Sequence, residues 1–219
     1  NAVNIIQWNL YYPGVLDLAE LELNPAEREA LAESLAAYQR GDLPDALRRY
    51  PAEHQPVSAA DHLYLGSLLL AVGLVDQTLP HLEVAVAGGG KNAALARAIR
   101  EIIAAVKYER WESSGPPTLA TEFLAESYYQ QSCANLPAAL VAARKAVEKS
   151  ADFAFAWEHL AELEFGFGHT PAALEALNKS LALAPRNPQA LALKGFLLSA
   201  KNQIPEAVKN FNEAIAIDG

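Results

Sequence analysis

The residues able to do chemistry are few, and their spacing decides what chemistry is open to them. Five histidines stand at His54, His62, His81, His159 and His169. No two lie four apart around a glutamate, the spacing that sets two zinc ligands and a base on one helix face. His159 and Glu162 fall one helical turn apart, but a metal site needs further ligands that no neighbouring residue supplies. The pair reads as solvated or groove-lining. The single cysteine, Cys133, sits in Gln131-Ser132-Cys133-Ala134 without a basic neighbour to stabilise a thiolate, so it reads as structural. Gly88-Gly89-Gly90-Lys91 carries the lysine of a phosphate loop. Ala85 stands where the earlier glycine is needed, however, and Asn92 where the hydroxyl residue is needed. These glycines are expected to break a helix instead. Asn178-Lys179-Ser180 has the form of a glycosylation acceptor but falls inside an expected helix. No catalytic constellation, metal site or cofactor site is expected, and the chain reads as non-enzymatic.

The elements that position these residues are helical. Of 219 residues, 75 are Ala or Leu, both strong helix formers. A hydrophobic fraction of 52% excludes a disordered chain. Seventeen Lys and Arg against 26 Asp and Glu give a net charge of −9. That argues against nucleic acid, whose phosphates need clustered cations, and against an anionic membrane surface. The longest uncharged apolar stretch, between Asp61 and Asp76, is too short to span a bilayer and reads as a buried helix. The chain begins at Asn1 rather than Met, as expected for a piece of a longer protein.

Three blocks beginning at Ala120, Ala154 and Pro188 align without a gap at a period of 34 residues. Small residues recur at the eighth position (Ser127, Ala161, Gly195), the twentieth (Ala139, Ala173, Ala207) and the twenty-seventh (Ala146, Ser180, Ala214). Phe123, Trp157 and Leu191 share the fourth position, and Ala143, Leu177 and Phe211 the twenty-fourth. Small residues allow two antiparallel helices to approach, and large ones fill the remaining space. Gly168-His169-Thr170-Pro171 supplies the intervening turn, with Thr170 expected to cap the next helix and Pro171 to occupy its first turn. A fainter copy spans 59–87, and a weaker one 27–58, with Ser34, Gly41, Ala46 and Tyr50 in phase. Asn24-Pro25 starts the first long helix. Between the fainter and clearer blocks, Ala93 to Arg110 reads as one helix whose apolar stripe needs a stacking partner.

This pattern resembles the tetratricopeptide repeat (TPR) family, through Trp157, Leu160, Ala161, Ala173, Leu177, Ser180 and Pro185 above all. Glu164 at position eleven, and Glu126 and Lys194 at position seven, depart from the family pattern. The resemblance implies an all-α, right-handed superhelical solenoid. The expected division is 1–24 as an aromatic flap or linker, 25–90 as two divergent repeats and 91–119 as an irregular helix and loop. Residues 120–219 then hold three repeats, 120–153, 154–187 and 188–219. The run Gln7 to Pro13 resembles a segment that precedes TPR arrays in FecR-domain envelope proteins of bacteria, which leans localisation toward the cell envelope.

In the family, ligands lie in a concave groove lined by positions two, five, nine and twelve or thirteen. The resemblance assigns Leu124, Tyr128, Gln131, Phe155, Glu158, Glu162, Phe165, Gln189 and Phe196 to such a groove, with Thr121 beside them. The basic residues of a carboxylate clamp are missing: Leu124, Ala125 and Tyr128, then Glu158, His159 and Glu162, then Ala192, Leu193 and Phe196 take those places. A protein or peptide with apolar and basic side chains is the expected partner. Self-assembly of the array, or recruitment within a larger envelope protein or enzyme, are the alternatives. The repeat phase has a direct test: Ala173→Leu should overpack a close helix contact and cost about 1–3 kcal/mol in urea denaturation. An unchanged midpoint would show the phase to be wrong.

Overall fold

The computed structural model describes residues 15–113 and 115–218, so residues 7–13 and the rest of the aromatic stretch before Val15 lie outside it. The described residues form twelve α-helices and no strand. They are α1 Pro25–Ala30, α2 Ala32–Gln39, α3 Leu43–Arg48, α4 Ala59–Ala71, α5 Val75–Ala87 and α6 Gly90–Lys107, then α7 Ala120–Ser132, α8 Leu136–Lys149, α9 Ala154–Gly166, α10 Thr170–Leu183, α11 Pro188–Ala200 and α12 Ile204–Ile217. Each helix packs on the next, most extensively within the hairpins α4–α5, α7–α8, α9–α10 and α11–α12. The result is an all-α solenoid.

The hairpins close where the side chains are small. Ser127, Ala139 and Ala146 are buried completely, as are Ala161, Ala173 and Ser180. A Cβ on Gly195 would stand 2.6 Å from the Phe211 ring, so glycine lets the twenty-fourth-position aromatic lie against α11. Where the eighth residue is serine it also bonds across the hairpin. The Ser34 hydroxyl donates to the Ala46 carbonyl (2.6 Å), and that of Ser127 to the Ala139 carbonyl (2.7 Å).

One residue with positive φ reverses the chain in each hairpin: Gly41, Gly73, Ala134, Gly168 and Asn202. The expected Thr170 cap does not form. Thr170 is already helical, and the turn closes instead through His169 N–H to the Glu164 carbonyl and Gly168 N–H to that of Phe165, both 2.8 Å. This backbone closure ends α9, and His169 rather than Thr170 stands at the position before α10 from which a side chain could cap it.

The first long helix, expected from Asn24-Pro25, is interrupted. Leu31, at φ −97° and ψ 7°, leaves helical geometry and divides it into α1 and α2. Asn24 and Glu27 form a reciprocal cap at the start of α1. Helix α6 runs three residues earlier than expected and stops when Tyr108 turns left-handed, at φ 54°. It packs on α5 and α7, so the irregular stretch is part of the stack.

The first hairpin also touches the far end of the array. The Arg186 amide donates to the Arg40 carbonyl (2.7 Å), and the Arg186 guanidinium grips Asp42 through Nε (2.9 Å) and Nη2 (2.8 Å). Gly41 abuts Asn187, whose backbone would lie 2.8 Å from an added Cβ. The α2–α3 turn is thereby clasped to the α10–α11 turn, and the stack bends back on itself.

Two predictions come from these contacts. Ala134 carries a Cβ at φ 59°, so Ala134→Gly should stabilise the chain by about 1 kcal/mol, read from the urea midpoint. Glu101, buried between α6 and α7, is pushed to about pH 8 by burial and then by Glu126 and Glu122. The unfolded chain releases that proton near the ordinary value of about 4.3. Its stabilising effect is thus full at low pH and lost as pH rises toward 8. Melting temperature should fall from pH 5 to pH 9, and Glu101→Gln should flatten that fall.

Candidate peptide-binding site

The nine residues assigned to a groove lie on α7, α9 and α11, and they divide by depth. Leu124, Tyr128, Phe155 and Glu158 are buried. Gln131, Glu162, Phe165 and Gln189 are half-buried, and Phe196 is 56% exposed.

A polar chain links the middle of this surface. The Ser127 hydroxyl gives its proton to the Ala139 carbonyl, so the His159 Nε2, 2.9 Å away, carries the hydrogen between them. The His159 ring lies on Tyr128, with centroids 3.9 Å apart. Its Nδ1 faces the Glu162 carboxylate at 3.4 Å, and Gln131 Nε2 donates to the same carboxylate at 3.3 Å. His159 is fully buried rather than solvated, with each ring nitrogen facing a polar partner inside the hairpin stack. Tyr128, Gln131 and Glu162 come together here. Phe155 belongs elsewhere, edge-on to Tyr38 at 5.5 Å, and Phe196 packs edge-on against Phe211 at 5.0 Å.

The two assigned acids differ in charge. Burial, and then Glu162, push Glu158 well above the usual carboxylate range, which favours its neutral form. One Glu158 oxygen and the Gln189 carbonyl oxygen are buried without a hydrogen-bond partner. The negative charge on this face thus falls to Glu162. Glu164, the departure at position eleven, faces away from it. Burial alone would raise its pKa, but Arg144 Nη2 (2.7 Å) and His169 Nδ1 (2.7 Å) outweigh that and hold it below the ordinary range.

The chain's own segment 15–23, within the stretch 1–24 read as a flap or linker, packs beside α2, α7 and the start of α9. Val15, Leu16, Leu21 and Leu23 are buried. The Tyr38 hydroxyl donates to the Leu16 carbonyl (2.8 Å) and accepts the Leu16 amide (3.2 Å). Burial pushes that hydroxyl's pKa up, so it remains a donor. Thr121 Oγ1 accepts the Asp17 amide (3.0 Å). The Glu20 carboxylate receives the Ala120 (2.6 Å) and Thr121 (3.0 Å) amides at the start of α7, where the helix dipole favours an anion. Leu16, Tyr38 and Phe155 line one cleft of about 350 Å³. The available signal was the run of leucines and acids from Val15 to Leu23, and a turn over Leu18 to Glu20 brings Asp17, Glu20 and Leu21 to its buried side.

Cys133 is exposed. Among the described residues no group of three or more His, Cys, Asp or Glu is placed to hold a metal ion. No helix among them is long and apolar enough to cross a membrane.

No protein-family model matches the chain. No curated protein matches it either. Solved structures do. A tetratricopeptide repeat protein from Parabacteroides merdae is 15% identical over 90% of this chain and 80% of its own, with a TM-score of 0.50. MamA is 20% identical over 84% of this chain and 94% of its own, with a TM-score of 0.43. YrrB, described as a TPR protein with an unusual peptide-binding site, is 15% identical over 86% and 84%, also at 0.43. The 34-residue period, the paired helices and the likeness to the Parabacteroides protein agree on one conclusion: this chain has the tetratricopeptide-repeat fold.

Proposed function

We propose that the chain is a non-enzymatic protein-interaction scaffold that holds a partner segment along the accessible part of its inner side. The observation carrying this reading is that, of the assigned positions, Glu162 stays partly accessible with Gln131 bonded to it, and Phe196 on α11 is 56% exposed. Aromatic anchors supply contact area at low entropic cost, and Glu162 selects a cation. A partner with apolar and basic side chains fits that combination. The helices already hold the stretch in shape, so little ordering is needed on binding.

Self-association is the second reading, favoured by α12. Only Ala207 and Ala214 of that helix are buried, while Ile204, Val208 and Ile215 are exposed. Such an uncovered apolar face marks an interaction surface.

A labelled peptide panel alternating Lys with Leu or Phe, read by fluorescence anisotropy, separates the two. Saturable binding should weaken as salt rises, and should fall at least tenfold in Phe196→Ala/Glu162→Lys with helicity unchanged. Binding that survives this double change would place the site elsewhere. Association that depends on Val208 and Ile215 in light scattering would favour the second reading.

A further inference from the structure

The seat of segment 15–23 is built like a peptide site. Its polar contacts are to backbone groups and one carboxylate: both main-chain groups of Leu16 go to a single Tyr38 hydroxyl, the Asp17 amide to Thr121, and the Glu20 side chain to two α7 amides. Such contacts read a segment that enters along Leu16 and folds through a turn at Leu18 to Glu20, closed by the Glu20 amide on the Asp17 carbonyl (3.0 Å) and the Leu21 amide on the Leu18 carbonyl (3.3 Å), with an acid four positions after the apolar Leu16. Thr121 and Phe155 lie on the inner side assigned to ligands, so the segment rests where a foreign peptide would.

The segment is also held differently at its two ends. Arg28 fastens the Leu21 carbonyl (3.1 Å) and the Leu23 carbonyl (3.2 Å) to α1. Among the described residues, the part from Val15 to Glu20 is bonded to α2 and α7 and lines the cleft with Phe155 of α9 and Leu183 of α10. That part can lift about Leu21 while the reciprocal cap of α1 stays formed.

We propose that this seat is a ligand-binding site which the chain fills in cis, and that its trans ligand is a leucine-rich acidic segment of another protein that takes up the same turn, with an apolar residue followed four positions later by a carboxylate. The trans ligand rests on the scaffold reading, while its chemistry is read from the cis occupant. The tethered segment competes at an effective concentration on the order of millimolar, so release in cis and capture in trans are coupled. The site is distinct from the open stretch around Glu162, which takes the opposite charge.

The test uses the full chain and a fluorescein-labelled peptide of the sequence from Val15 to Leu23. Leu16→Ser/Glu20→Ala weakens the cis segment, and this variant should bind the peptide at least tenfold more tightly than the parent chain does. Replacing the peptide's own glutamate at the Glu20 position by alanine should remove most of that gain. Adding Tyr38→Phe and Thr121→Val to the weakened chain should do the same. A weakened chain with native helicity that fails to bind, or binds without regard to that glutamate, would overturn the proposal. Should the weakened chain not fold, amide exchange on the parent decides. The Leu16, Asp17 and Ala120 amides are expected to exchange by local opening, well before those of Leu124 and Ala125. Exchange of all five together, only on global unfolding, would overturn the proposal as surely. A Lys/Leu peptide in the same titration reports on the Glu162 stretch, so either reading can fail alone.

Discussion

Much of the architecture depends on keeping one aromatic surface dry, the place where Tyr38 meets Phe155. A stack of amphipathic helix pairs buries its hairpin contacts readily, but its inward faces have no neighbour of their own. Here those faces carry Leu124, Tyr128 and Phe155, and leaving them wet would forfeit about 1.5–3 kcal/mol for each large side chain. Two devices enclose them. The α2–α3 turn is clasped to the α10–α11 turn through Arg186, Asp42 and Gly41, and segment 15–23 fills the space beside Tyr38. Neither device is a repeat feature, yet both make the inner surface what it is.

The hairpins themselves rest on close approach. Wherever position eight is Ser, Ala or Gly and position twenty is Ala, the two helix backbones come near enough for the serine hydroxyl to reach a carbonyl on the opposite helix. This gives each pair a fixed phase and so fixes which residues face inward. The same phase places Ser127 against His159 of the next hairpin, which is how a contact within one pair reaches the polar chain that ends at Glu162.

Three glutamates show how environment divides one residue type among roles. Glu158 is buried beside another acid and shifts toward its neutral form. Glu101 is buried beside Glu126 and likewise holds its proton into the alkaline range. Glu164 is just as enclosed, but Arg144 and His169 reach it, and it remains ionised. The formal charge of −9 therefore overstates the negative potential on the inner side, where Glu162 is the assigned acid left to act as a charge. Neutralising a buried acid costs less than burying its charge unpaired.

The sequence by itself determined the helical class, the 34-residue phase and the hairpin contacts, because these follow from local spacing: a small residue at eight must meet a small residue at twenty. It also offered candidates for an inward face, from Thr121 to Phe196. Only the tertiary structure decided which of them are accessible. Burial of Phe155 depends on Tyr38, more than a hundred positions earlier, and the start of α7 is capped by Glu20, a hundred positions away. No periodicity carries such contacts, since they arise from how far the stack turns and from where its first hairpin lands. The break at Leu31 and the left-handed stop at Tyr108 set that path. With the path set, the acidic, leucine-rich end of the stretch read as a flap or linker became part of the packed surface beside Tyr38.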